Sequence, residues 1–584
     1  MFRGNRVKNI LWAFISTASV IYLLNVSRST YLVIILFPLM FYFYENSLTK
    51  ITCSKSTAVI SGILGTFFSF LCGLYRYGIS NEEELLFFYI LISFIGMTFL
   101  FYRIFLFAFE SLKNKEIKIR EEKDGSPRKC VLVLIYSLGG MLLCWMPYFL
   151  SFYPAVITND SYSQLGQSLG MIPYNNHHPM AHTFAIKFIR HLGKQMGMDA
   201  NGQTALFSII QMVLMAAVFS YLIFTLYQIL ENKKVCFIVW LFYAIVPYNA
   251  FYSFTMWKDV WFAGLTLAML VSLWRLLLLD LSAVSRGIHY MAFVLFSMGF
   301  TLFRSNGYYA MYLMLPVFIY LLWKKRKIIP ILCMVVIVIA SILKGPVYSM
   351  LGVEKGELTE SLSLPIQQIA RTIVDSKELS PSQEELVAKV TDIEKIPDSY
   401  RSYLSDPMKN MILEKEGDKY IAEHKGAYLK LWAELAVKYP DSYTKALVGQ
   451  TAGYWMPDIQ YWVYTTQLME NEYGITRTPK LSENVGEFLT EFADNTKAAP
   501  LIGLIYSNGF ATWLIIFGVG LLCVKKKRTE FVLYAPIAGV FLTLVAATPV
   551  YAEFRYYYSA FVSIPLLIIA TMVSGGKDGL SSEK

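Results

Sequence analysis

The residues best suited to chemistry in this 584-residue chain are polar groups that interrupt apolar sequence. Asp160 lies in ITNDSYSQLGQSLG, and four of the six histidines, His177, His178, His182 and His191, follow in YNNHHPMAHTFAIKFIRHLGKQMG. Lys258 and Asp259 lie in SFTMWKDVW, Arg304 and Asn306 in FRSNGYY, and Glu553 and Arg555 in YAEFRYYYS. Ionisable groups that border hydrocarbon are costly and tend to face a cavity or a partner. Brought together, these residues would suit phosphate chemistry: the cations neutralise a phosphate while a carboxylate accepts a proton. Each element alone has a plainer reading. Lys258 can pair with Asp259, Glu553 with Arg555, and Asp160 can be a helix-start carboxylate favoured by the dipole. His178 and His182 stand four apart, as zinc ligands can, but neither an HExxH pattern nor a third ligand accompanies them. His178 is expected instead to orient a neighbour, touch phosphate or cap a helix.

The elements that must position these groups follow from composition. With 55% hydrophobic and 16% charged residues, the chain is neither an ordinary cytosolic enzyme, nor disordered, nor a disulfide scaffold. It reads as an all-α integral membrane protein with about 14 transmembrane helices, the first of them a retained span. The basic runs Arg3/Arg6/Lys8, Lys50/Lys55, Lys113 to Lys129, Lys233/Lys234, Arg286, Lys324 to Lys327 and Lys525 to Arg528 all fall on one side. The positive-inside rule makes that side, and both termini, cytoplasmic in a multi-pass protein of the cell membrane. The same clustering between apolar stretches argues against nucleic acid as a partner.

Four regions follow. Residues 1–129 form an N-terminal four-span membrane region and a cytoplasmic loop, and 130–344 a membrane module with the external loop 151–203. Residues 345–498 form a mostly helical extracytoplasmic domain, and 499–584 the C-terminal spans and cytoplasmic tail. Segment 345–498 is acidic, with 16 Lys and Arg against 24 Asp and Glu, in a chain of net charge +10. Within the loop 151–203, Thr158 or Asn159 can cap a helix that begins with Asp160. Pro179 suits the first turn of an amphipathic helix lying on the membrane, with Met180, Phe184, Phe188 and Leu192 apolar. Trp455, Tyr461, Trp462 and Tyr464 could stack on sugar rings, although an interfacial aromatic belt explains them as well.

TNDSYSQ with Asp160, the following NNHHP, WKD and the late EFRYYY together resemble the GT-C superfamily of membrane glycosyltransferases, and most a bacterial branch of it. The resemblance covers about 130–325 and 500–573 of the chain. It implies a GT-C-like fold and transfer of a hexosyl or pentosyl unit from a polyprenyl-phosphate donor, on the external face. The acceptor would be an envelope glycan, lipid or protein. Asp160 would be the general base, and inversion would follow from attack opposite the phosphate. His178, Lys258, Asp259, Arg304, Asn306, Glu553 and Arg555 would bind donor phosphate or sugar, with a divalent cation at Asp259 and Glu553 if a metal is used. No DxD motif accompanies them. Two alternatives stay open: a transporter or flippase of a lipid-linked saccharide, which requires broken helices in both halves, and a non-catalytic envelope-assembly protein.

Overall fold

The computed structural model describes residues 2–24, 30–47, 53–80, 86–120 and 127–574. Lys50, the part of the Lys113 to Lys129 run at 121–126, and the expected cytoplasmic tail 575–584 lie outside them. Helices account for the architecture, and among the described residues β pairing is limited to isolated bridges. In chain order the first fourteen are α1 Phe2–Leu23, α2 Thr30–Ser47, α3 Lys55–Ile79, α4 Leu86–Leu112, α5 Pro127–Ser151, α6 Asn159–Leu169 and α7 Met180–Gln195. They continue with α8 Ala200–Ile229, α9 Lys233–Ile245, α10 Pro247–Phe254, α11 Lys258–Leu278, α12 Ala283–Leu302, α13 Ser305–Arg326 and α14 Ile328–Ile342. Short polar side chains start several of them, as helix ends require: Ser54 accepts from the Thr57 amide, Asp199 from Gly202 and Asn232 from Lys234.

The chain is a multi-pass helical membrane protein, but the expected fourteen spans are not matched. Among the described residues eight helices are long and apolar enough to cross a bilayer, or nine if α9 and α10, bent by 58° at their junction, form one broken span. Ile34–Asn46 and Phe531–Ala547 are apolar but short. Charged and hydroxyl-bearing residues dilute α12 and α13, which carry Arg286 and His289 and Tyr308, Tyr309 and Tyr312 respectively.

Each end of the bundle gathers one kind of sequence. At the basic end, Ile117 pairs with Val573 and Ile119 with Leu230, and Lys525 Nζ donates to the Lys113 and Lys115 carbonyls. At the other end, Val156 pairs with Thr255 and Ile157 with Leu468. One large apolar core runs from α1 through the last helix, Tyr558–Met572, so α1–α4 pack on the same body as the rest. The segment 345–498 adds a core of its own around Ala370, Ile396, Met408 and Leu435. It docks on the final interhelical turn through Ser405 N–H to the Pro549 carbonyl at 2.9 Å.

α7 differs from its expected orientation. Its buried stripe is Met180, Thr183, Ile186, Ile189 and Gly193 with His182 and Arg190, while Phe188 is exposed. Packing against α6 and α8 selects that stripe, and Gln164 and Gln203 each give one hydrogen bond to its His182 and Arg190, leaving His182 Nε2 and Arg190 Nε without hydrogen-bond partners among the described residues. The apolar positions alone pointed to a different face.

Candidate functional site

Four separate helix starts meet at the end of the bundle opposite the basic runs. Asp160 occupies the first turn of α6, and Lys258 and Asp259 open α11. Arg304 is the residue before α13, and Glu553 and Arg555 lie in the turn leading into Tyr558–Met572. Helix starts favour carboxylates, which places Asp160 and Asp259 well. Backbone pairing holds the first two entries together: Met256 N–H donates to the Val156 carbonyl at 3.1 Å, and Ser161 Oγ to the Met256 carbonyl at 2.6 Å. The Gln211 amide donates to the Thr255 carbonyl at 2.7 Å and takes the Trp261 indole N–H on its oxygen at 2.9 Å. Asn508 pins the last turn, donating to the Ala552 and Glu553 carbonyls, each at 3.2 Å.

On this frame Asp160 Oδ2 accepts from Lys258 Nζ at 2.8 Å and from an Arg555 guanidinium nitrogen at 2.9 Å. Lys258 also donates to His178 Nδ1 at 2.9 Å. Arg555 Nε donates to Glu553 Oε1 at 2.9 Å, and Arg304 pairs with Asp259. The expected local pairing is therefore correct for Glu553 with Arg555 and wrong for Lys258, which turns from its neighbour Asp259 to Asp160 across the fold. Accessibility separates the acids: the Asp160 side chain keeps 23% of its surface exposed, and that of Asp259 keeps none. Glu553 is nearly as sealed, which leaves Asp160 the most accessible of the three acids.

The titration of these groups follows from their neighbours. Burial alone raises the carboxyl of Asp160, but the Arg555 and Lys258 charges outweigh it and hold Asp160 well below the usual carboxylate range. Burial and the Lys258 ammonium push His178 well below the usual histidine range, so the ring is neutral and its Nδ1 is an acceptor. Burial brings His182 down to about 3; its Nδ1 meets Gln164 Oε1 at 2.9 Å rather than any ion. Burial pushes Glu553 up to about 7 in spite of Arg555.

Of the residues expected at the site, Asp160, His178, Lys258, Asp259, Arg304, Glu553 and Arg555 form one connected set. Asn306 does not join it: its amide donates to Thr543 Oγ1 at 2.9 Å and ties α13 to Phe531–Ala547. His177 faces Glu357, and His191 bonds Gln195. Thr158 precedes α6 but makes no side-chain cap; its hydroxyl accepts from the Trp257 indole at 2.8 Å. A divalent cation does not fit these donors. Among the described residues no three His, Cys, Asp or Glu side chains gather to hold a metal, and each of the three acids is already paired with a cation.

Aromatic rings complete the set. Arg555 lies 4.9 Å from the Trp257 ring centre, 5.1 Å from Tyr556 and 5.9 Å from Trp462, and Arg304 lies 4.5 Å from Tyr556. Trp462 keeps 40% of its surface exposed, so it borders the site while Trp257 is sealed beneath. Trp257 and Tyr556 adjoin charged residues in WKD and EFRY; that adjacency was the sequence signal for them.

Over residues 172–582 the chain matches DUF6020, a family of unknown function. The chain belongs to this family. No curated protein and no solved structure matches it. Within the DUF6020 protein, the matched region holds every member of the connected set except Asp160, which precedes it.

Proposed function

We propose that this DUF6020 protein is a membrane glycosyltransferase of GT-C type. It moves a sugar from a polyprenyl-phosphate donor to a cell-envelope acceptor on the extracytoplasmic face. The observation that carries the reading is the junction of one accessible carboxylate, Asp160, with Lys258 and Arg555. An acceptor hydroxyl attacks the anomeric carbon, its proton passes to Asp160, and the bond from that carbon to the phosphate oxygen breaks. Attack opposite the leaving group inverts the centre.

Charge is conserved locally in this step. As Asp160 takes a proton it loses its negative charge, while the departing phosphate gains one. Lys258 and Arg555 can therefore transfer their hydrogen bonds from the carboxylate to the phosphate without leaving a cation unpaired. Donor phosphate arriving beside the same two cations also loosens their hold on Asp160, which raises the carboxylate's proton affinity when a base is needed. His178 keeps Lys258 oriented through Nδ1, and the sealed Arg304 with Asp259 acts as a positioning pair. An apolar cleft of about 300 Å³ between α9, α10 and the helices Asn508–Lys525 and Tyr558–Met572 supports a lipid donor. Tyr248 is among its lining residues, and its ring lies 5.0 Å from Phe554, the neighbour of Arg555.

The transporter reading finds one feature in its favour, the break between α9 and α10. There Asn249 donates to the Phe242 carbonyl and accepts from the Tyr558 hydroxyl, so its polar groups are engaged. No second bent pair occurs among the described residues, whereas transport between two halves calls for one in each. The deciding experiment incubates protein in lipid nanodiscs with a synthetic polyprenyl-phosphate sugar and envelope acceptors. Product is expected, and Asp160→Asn should reduce its rate by about 10²–10⁴-fold with folding intact. Undiminished turnover by that variant removes Asp160 from the mechanism, and passage of intact donor across the bilayer of sealed proteoliposomes, without product, supports the transporter.

A further inference from the structure

The external domain holds a second hollow, which the proposed chemistry does not use. Helices Ser363–Val374, Asp406–Glu414 and Lys425–Lys438, with shorter neighbours, surround a cavity of about 390 Å³. Ile366, Ala370, Val390, Ile412, Ile421 and Leu431 present carbon to it. The polar atoms of its larger side chains are engaged elsewhere. Tyr428 donates its hydroxyl to the Leu386 carbonyl at 2.8 Å, and Trp432 its indole N–H to Gln368 Oε1 at 2.7 Å. Water gains little in a hollow without polar partners, whereas a hydrocarbon guest leaves water and gains dispersion contacts.

One charged residue lines this cavity: Lys425, the exposed first residue of its helix. Lys389, Lys395, Lys409, Lys415, Lys430 and Lys445 of the same domain each have a carboxylate partner. Lys425 has none among the described ion pairs, and neither do Lys355, Lys377, Lys419, Lys438 and Lys480, but of the domain's lysines it alone lines the cavity. An unpaired ammonium beside a carbon-lined hollow complements an anionic head on an apolar chain.

We infer that this cavity binds a single hydrocarbon chain with an anionic head, the chain lying among Ile366, Ile412 and Leu431 and the head on Lys425 Nζ. A fatty acid and one tail of an anionic membrane lipid share that chemistry. The size falls within the range usual for small-molecule sites. The assignment stands on the external domain alone and is independent of sugar transfer.

The test uses full-length protein in phosphatidylcholine nanodiscs, irradiated with a diazirine-bearing palmitic acid and mapped by mass spectrometry. Adducts are expected on Ser363–Val374 and Lys425–Lys438, competed by excess palmitate. Ala370→Trp, which fills the cavity, should lower them about tenfold or more, and Leu362→Phe serves as a milder filling if that variant fails to fold. Lys425→Glu should weaken labelling by the acid several-fold and leave labelling by the corresponding fatty alcohol unchanged. A diazirine-tailed phosphatidylglycerol in the disc separates the sources: adducts on the same peptides assign the guest to a membrane lipid, and their absence assigns it to the free acid. Adducts confined to the membrane helices, or unchanged by a filling variant that unfolds normally, would overturn the inference, as would displacement by apolar peptides but not by palmitate.

Discussion

At the scale of single residues, the site is a set of acids with unequal freedom. Asp160 is accessible and held ionised, Asp259 is sealed against Arg304, and Glu553 titrates near neutrality. Because burial pushes Glu553 up to about 7 from its ordinary value of 4.5, the folded protein holds a proton that the unfolded chain has lost in that window. This group's contribution to stability therefore falls as pH rises from about 4.5 to 7. Above that range, ionised Glu553 also competes with donor phosphate for Arg555. The KM for donor should rise with pH through about 7, and Glu553→Gln should flatten that limb, as read from initial rates across pH. Arg304 has a different role. Arg304→Met leaves buried Asp259 with only the more distant Arg555, 4.0 Å away, and should destabilise the protein by up to about 3–5 kcal/mol, whereas adding Asp259→Leu should recover most of the loss in thermal unfolding. A double variant no more stable than the single one would show that the pair is not the reason for the loss.

At the scale of elements, the site depends on four chain entries, three of which have backbones bound to one another or to buried amides. The approach of α12 to α13 requires Gly307, where an added Cβ would collide with the Phe300 carbonyl and the Phe262 ring. Gly307→Ala should therefore cost about 1–3 kcal/mol and displace the turn that carries Arg304. Thermal denaturation in detergent checks the first effect and donor turnover the second; wild-type values for both would mean that the hairpin can open freely. The same reasoning accounts for the face that α7 buries. Its apolar positions are visible in the sequence, but the neighbours that bond His182 and Arg190 come from α6 and α8.

At the scale of the whole molecule, the basic runs and the candidate site occupy opposite ends of one helical body. That arrangement predicts sidedness in cells. Cys53 and Cys523, both exposed, lie beside Lys55 and Lys525 at the basic end. In intact cells a membrane-impermeant maleimide should leave them unlabelled and should label Lys389→Cys in the segment 345–498. Labelling of the native pair, with protection of position 389, would place the site inside the cell and end the lipid-linked donor reading.

By itself the sequence determined that this is an α-helical multi-pass protein, because burial in hydrocarbon leaves long apolar runs with charges sorted between them. It also singled out residues whose types are expensive at a membrane border, and seven of the eight meet. Tertiary structure decided their partners. Lys258 chose Asp160 over adjacent Asp259, Arg555 reached Asp160 across 395 positions, Asn306 went to Thr543, and Trp462 came from a distant stretch to border the cluster. Periodicity and composition are written in neighbouring residues, but a charge pair also depends on which helix ends pack together, and that is a property of the assembled bundle.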